Sequence, residues 1–131
     1  MKKALLIVAG CLAMLLVLLL WLTRESAVTG TYEASGSWGK STLTLEPDHS
    51  MLQTVTLSGS NHDQMVKGRW ESRGREFLDQ NISLMPFIAL AAQANGRKYD
   101  AFETYYGPVG LTGFGIDADS GANIAYRKVA K

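Results

Sequence analysis

The 19 residues from Ala4 to Leu22 carry no charge and are almost all apolar, and Lys2 and Lys3 stand directly in front of them. As a helix this run is roughly 28 Å long, close to the ~30 Å hydrocarbon core of a bilayer. The sequence therefore divides into residues 1–26, an N-terminal signal-anchor with its juxtamembrane link, and residues 27–131, an exported domain. Arg24 and Glu25 behind the run cancel each other, so the two lysines keep the N-terminus cytoplasmic and send the C-terminal part across. Trp21 suits the headgroup interface at the far end.

A cleaved secretory signal fits less well. Its apolar region is usually about 7–15 residues and ends in a small-x-small site, whereas Trp21-Leu22-Thr23-Arg24-Glu25 has no such pattern. Val8-Ala9-Gly10-Cys11 is similar to a bacterial lipobox, which would make Cys11 a lipidation site, but cleavage there leaves a mature chain beginning inside the apolar run. The expected place is a bacterial inner membrane, crossed once, with the C-terminal domain in the periplasm. Cys11 is the only cysteine, so the exported part has no intrachain disulfide and must be held by its core. Ala9, Gly10 and Ala13 would let another helix approach closely, although such spacings are common in lipid-facing helices.

The exported part carries ten Lys/Arg against eleven Asp/Glu and has no basic stripe, which argues against nucleic acid as a partner. All 13 glycines but Gly10 lie in it, between short apolar–polar alternations. That pattern predicts a β-meander. Strands are expected at 29–32, at 41–46 with Leu43 and Leu45 on one face, and at 51–57 with Met51, Gln53, Val55 and Leu57 on one face. The next is expected at 65–71, with Val66, Gly68 and Trp70 alternating against Lys67, Arg69 and Glu71. Arg73-Gly74 then reads as a turn into 76–79. The continuously apolar 84–94 reads as a short helix packed into the core, with Ser83 as cap, Pro86 in the first turn and Gly96 as stop. Strand signals resume at 99–106, 109–117 and 122–129. The expected fold class is mainly β: an N-terminal transmembrane helix, then a small antiparallel β-barrel or curled meander sheet with one short helix.

Gly30-x-Tyr32, Leu43-Thr-Leu45 with Pro47-Asp48, and Gly68-Arg-Trp70-Glu71 together form a pattern that resembles lipocalin-like β-meander domains of small bacterial envelope proteins. Among these are uncharacterised membrane-anchored and lipoprotein families. The end of the chain, from Phe114-Gly115 through Asp117-x-Asp119-x-Gly121 to Tyr126-Arg-Lys-Val129, is similar to their closing hairpin. The resemblance implies a fold and no reaction, because such barrels host carriers, inhibitors, assembly factors and sensors alike.

No motif of catalysis is present, and no catalytic residue or cofactor is expected. His49 and His62 each neighbour an aspartate, Asp48 and Asp63, which suggests a metal site. A strand of about eight residues lies between them and separates them by roughly 25 Å, so turn hydrogen bonds account for both pairs more simply. In Asp117-Ala-Asp-Ser-Gly-Ala-Asn123 the glycine comes one position early for a calcium loop, and Lys128 stands where the bidentate glutamate belongs. Gly39-Lys40-Ser41 lacks the context of a nucleophile elbow, and Gly107 to Gly115 lacks that of a phosphate loop. An envelope hydrolase would need acids such as Asp48, Glu71 and Asp79 to converge.

Two functional expectations remain. The first is a non-enzymatic module that binds another envelope protein, of accessory, assembly or immunity type, with Tyr105, Tyr106 and Pro108 as the candidate surface. The second is a lipocalin-like carrier or sensor of a small apolar ligand, its cavity lined by Trp38, Trp70, Phe77 and Phe114.

Overall fold

A computed structural model describes residues 1–22, 24–76, 79–88, 98–99, 102–104, 114–118 and 122–129. The N-terminal run is one helix, α1 (Lys2–Leu22), long and apolar enough to cross a membrane. Its span buries nothing against the rest of the chain. Leu, Val, Met and Ile side chains stand out on every side of it, an arrangement that suits lipid rather than water. A single 3-10 turn, Glu25–Ala27, follows and is closed by the Thr29 hydroxyl donating to Ser26 O at 2.9 Å.

The rest is β-structure: β1 (Gly30–Gly36), β2 (Gly39–Leu45), β3 (Ser50–Leu57), β4 (Gln64–Glu76), β5 (Asp79–Met85), β6 (Phe87–Ile88), β7 (Lys98–Tyr99), β8 (Phe102–Thr104), β9 (Phe114–Ala118) and β10 (Ala122–Lys128). Eight strands form one antiparallel sheet in the order β8-β5-β4-β3-β2-β1-β10-β9, and β6 pairs with β7 beside it. The sheet is curled, so that its end strands β8 and β9 come into contact. Curling draws two unpaired edges toward each other, which limits edge-to-edge association. The mainly β architecture behind an apolar helix is thus the one the alternation predicts.

The core follows the period of two. Tyr32 lies opposite Leu43, Leu43 opposite Gln53, and Gln53 opposite Val66, all on the inner face. Ala34, Leu45, Met51, Val55, Trp70, Ile82, Leu84, Ile124 and Tyr126 belong to the same core, and Val28, ahead of β1, is its first residue. Exposed Lys40, Thr42, Lys67 and Arg69 take the alternate positions. Gly68 is obligatory for packing. A Cβ there would lie 2.3 Å from Met85 O, so the bare backbone lets the end of β5 pass.

Two local expectations are corrected. Arg73-Gly74 does not reverse the chain; it lies inside β4, where the register with β5 shifts between Ser72 and Arg75. Gly74 has φ +98, a conformation shared by turns and by bulges, so the same residue signal serves both. Residues 84–88 are two strand segments about a bend, not the start of a helix: Leu84 in β5 pairs with Trp70 in β4, and after the cis Met85-Pro86 bond Phe87 and Ile88 form β6. Ile82, Ser83, Leu84, Phe87 and Ile88 are all buried. A strand covered on both faces has the same continuous apolar signature as a core helix. Residues 89–94 of that expectation lie outside the described residues. The short helical element that is described is the 3-10 turn at 25–27.

Candidate functional site

The most elaborate side-chain assembly joins the segment behind α1 to one end of the β-sheet. It begins with the β2–β3 turn. Asp48 Oδ1 accepts from the Ser50 amide at 2.9 Å and from its hydroxyl at 2.6 Å, which closes an Asx turn. These Ser50 donors hold the Asp48 carboxyl below the usual carboxylate range. The next residue, His49, takes the left-handed conformation at φ 67. That backbone aims its ring across to β4, where it stacks on Trp70 with centroids 4.7 Å apart and planes 14° from parallel.

Two hydrogen bonds join His49 and Trp70, and a third ties Trp70 to Glu46 in the same turn. The Trp70 amide donates to His49 O at 2.9 Å, the His49 Nδ1 lies 3.1 Å from Trp70 O, and the Trp70 indole N–H donates to Glu46 O at 2.8 Å. On its other side, His49 Nε2 lies 2.9 Å from Glu25 Oε1, in the 3-10 turn behind the helix. The histidine thus bridges β4 and the turn behind α1.

Two further contacts hold the same turn. The Lys128 ammonium at the end of β10 donates to Ala27 O at 2.8 Å and lies 5.7 Å from the Tyr32 ring centroid. The Tyr32 hydroxyl donates to Val28 O, and burial pushes this phenol above its ordinary range, so it remains a neutral donor. At the helix end, the Arg24 guanidinium sits 4.3 Å from the Trp21 ring centroid. Side chains from β1, the β2–β3 turn and β10 therefore converge on residues 25–28. The Glu25–His49 pair is half exposed, and a pair of that kind contributes about 0.2–1 kcal/mol. Burial of Val28 and the bonds to Ala27 O and Val28 O supply the remaining hold.

A second polar assembly lies in the core. The Ile88 amide donates to Gln53 Oε1 at 2.7 Å, and Gln53 Nε2 donates to Ile88 O at 3.2 Å. A side-chain amide here does what a neighbouring strand would do, satisfying both backbone groups of a β6 residue. Gln53 Nε2 is also 3.4 Å from the Tyr126 hydroxyl, which donates to Ser41 Oγ at 2.9 Å. Gln53, Tyr126 and Ser41 are essentially inaccessible, so this network positions β6 and reaches no solvent. On the outer face of β10, β1 and β2 a groove of about 550 Å³ is lined by Glu33, Ser35, Lys40, Thr42, Arg127 and Lys128. Its charges are of mixed sign.

The residues singled out in the sequence are distributed as follows. Trp70 is buried in the core with its indole hydrogen-bonded, and Trp38 packs half-buried against the core. Phe114 is in β9. Phe77, Tyr105, Tyr106 and Pro108 lie outside the described residues. His49 and His62 fall at opposite ends of β3. Asp63 accepts from the Thr56 hydroxyl at 2.6 Å, and the His62 amide donates to the Ser60 hydroxyl. Among the described residues, no three His, Cys, Asp or Glu side chains come together in a way that could hold a metal ion.

Sequence reasoning missed Glu25, Lys128 and Gln53. The first two act across the molecule and have no local motif. Gln53 did carry a signal: an amide on the apolar face of a strand must find buried partners. Comparison of the chain with known protein families, curated proteins and solved structures finds no match.

Proposed function

We propose that this chain is a single-pass membrane protein of the bacterial inner membrane, with its β-domain in the periplasm, and that the domain is a non-enzymatic module for binding another envelope protein. The observation that carries this reading is the fastening behind α1. Only Thr23 and Arg24 separate the end of the apolar helix from Glu25, where side chains of the β-domain take hold. A carrier that shuttles a ligand, or an enzyme that reaches for distant substrate, gains from a long flexible linker. A module that must present one face to a neighbour in the same membrane gains from a short, fastened one. The Lys2-Lys3 flank supports the orientation. The absence of a catalytic motif from the sequence supports a binding role.

The test is crosslinking in intact cells followed by recovery of the full chain from native membranes, comparing wild type with the Tyr105→Ala/Tyr106→Ala double variant. The reading expects one discrete envelope protein with wild type and its loss with the variant. No recovered protein, together with a small molecule bound to the purified chain in native mass spectrometry, would replace it with the lipocalin-like carrier.

A further inference from the structure

We infer that His49 and Glu25 form a proton-operated latch that fastens the juxtamembrane turn to the β-domain at mildly acidic pH and loosens it as pH rises. The latch depends on the fastening alone and not on what the domain binds. Both partners of the His49 ring are acceptors. Trp70 O is a backbone carbonyl 3.1 Å from Nδ1, and Glu25 Oε1 is a carboxylate oxygen 2.9 Å from Nε2. A neutral imidazole has one N–H and one lone pair, so it can satisfy only one of them. Holding both contacts as hydrogen bonds takes two N–H donors, which only an imidazolium has.

Loss of one proton therefore breaks one side of the bridge. The Nδ1 contact lies within a hairpin that is also held by the Trp70 amide, the indole N–H and the ring stack. The Nε2 contact joins two partly exposed side chains, so it is the side that opens, and a lone pair then faces the Glu25 carboxylate. The surrounding charged groups are Arg24 beside Glu25, Glu46 and Asp48 in the His49 turn, Arg69 and Glu71 on either side of Trp70 in β4, and Lys128 on β10. Among these residue types, histidine is the one whose charge ordinarily changes between about pH 5 and 8. Its half exposure gives protons direct access.

The experiment uses the full chain in lipid nanodiscs at about pH 5.5 and about pH 8, the interval across which a histidine changes charge. Two quantities are read. One is the protection of the Ala27 and Val28 amides, which close the 3-10 turn on Arg24 O and Glu25 O, expressed relative to unstructured peptide at the same pH. The other is the ¹⁵N spectrum of the His49 ring. The Val129 amide, bonded to Thr31 O, is the internal reference.

Wild type is expected to lose about two- to fivefold of the Ala27 and Val28 protection at the higher pH, with Val129 unchanged, the size that a partly exposed ion pair supports. At the lower pH both ring nitrogens of His49 should carry a proton. Glu25→Gln should abolish the pH dependence, because a carboxamide can accept from an N–H or donate to a lone pair. His49→Asn keeps a residue tolerant of positive φ but cannot reach Glu25, and should show the high-pH protection at both values. Equal wild-type protection at the two pH values overturns the latch. So does a Glu25→Gln protein that keeps the full pH dependence, or a His49 ring with one unprotonated nitrogen at the lower pH.

Discussion

The strands β1–β4 and the segment that follows β5 are built on different rules. In the first region every strand pairs with its sequence neighbour in unbroken register: Gly30 to Gly36 against Leu45 to Gly39, and Gly39 to Leu45 against Leu57 to Met51. Each strand has one buried face, so alternation alone determines which way it points. From Ile82 to Leu84 in β5, and again at Phe87 and Ile88, successive residues are buried, the chain bends at Pro86, and β6 is two residues long. Such a stretch cannot position itself by alternation. It is fixed from outside, by a glutamine 35 residues earlier that pairs with Ile88 as a strand would. Regular hairpins are specified locally, whereas an irregular insertion needs a dedicated long-range contact.

The largest effect should come from removing what the two regions share. Trp70→Ala deletes a buried ring, its indole bond to Glu46 O and the His49 stack, and should cost about 3–5 kcal/mol. Denaturant unfolding of the purified chain measures this. Gln53→Leu keeps the volume but strands both backbone groups of Ile88, at about 1–3 kcal/mol for buried polar groups left unpaired. Its diagnostic is spatial: the Ile88 amide should exchange much faster while the β2–β3 amides stay protected. Equal loosening of both regions would refute the contrast drawn above. Tyr126→Phe removes the link to Ser41 and one contact of Gln53, and should lower stability by about 0.5–1.5 kcal/mol.

The smallest effect belongs to the β2–β3 turn and depends on pH. The Asp48 carboxyl lies below its ordinary range in the folded chain because of its Ser50 bonds. A lowered folded-state value means that the stabilisation is complete above the ordinary carboxylate range and disappears as pH falls through the lowered one. The stability difference between wild type and Asp48→Asn should therefore be present at neutral pH and vanish in strong acid, as read from denaturant midpoints at the two conditions.

What the sequence made legible follows the same division. Leu43, Leu45, Met51, Val55, Val66 and Trp70 could be assigned to the inner face because polar residues separate them. The apolar run at 84–88 could not, since Ser83 ahead of Pro86 satisfies the rules for a helix start as well as those for a buried strand ending at a bend. Ser83 is buried in β5 and caps nothing helical. The fastening at Glu25 was illegible for a different reason: His49 and Glu25 are far apart in sequence, and Lys128 reaches the same turn only because β10 pairs with β1. His49 was visible as a turn residue, but its left-handed backbone, which directs the ring onto Trp70, was not.

The brevity of the link between α1 and Glu25 has a consequence for encounter. Three peptide steps reach at most about 11 Å, so on the membrane reading the domain is leashed to a thin layer above the bilayer. It searches a disc rather than a volume. A partner in the same membrane is met at high local concentration and in nearly fixed orientation, so even a weak face-to-face affinity suffices for a persistent complex.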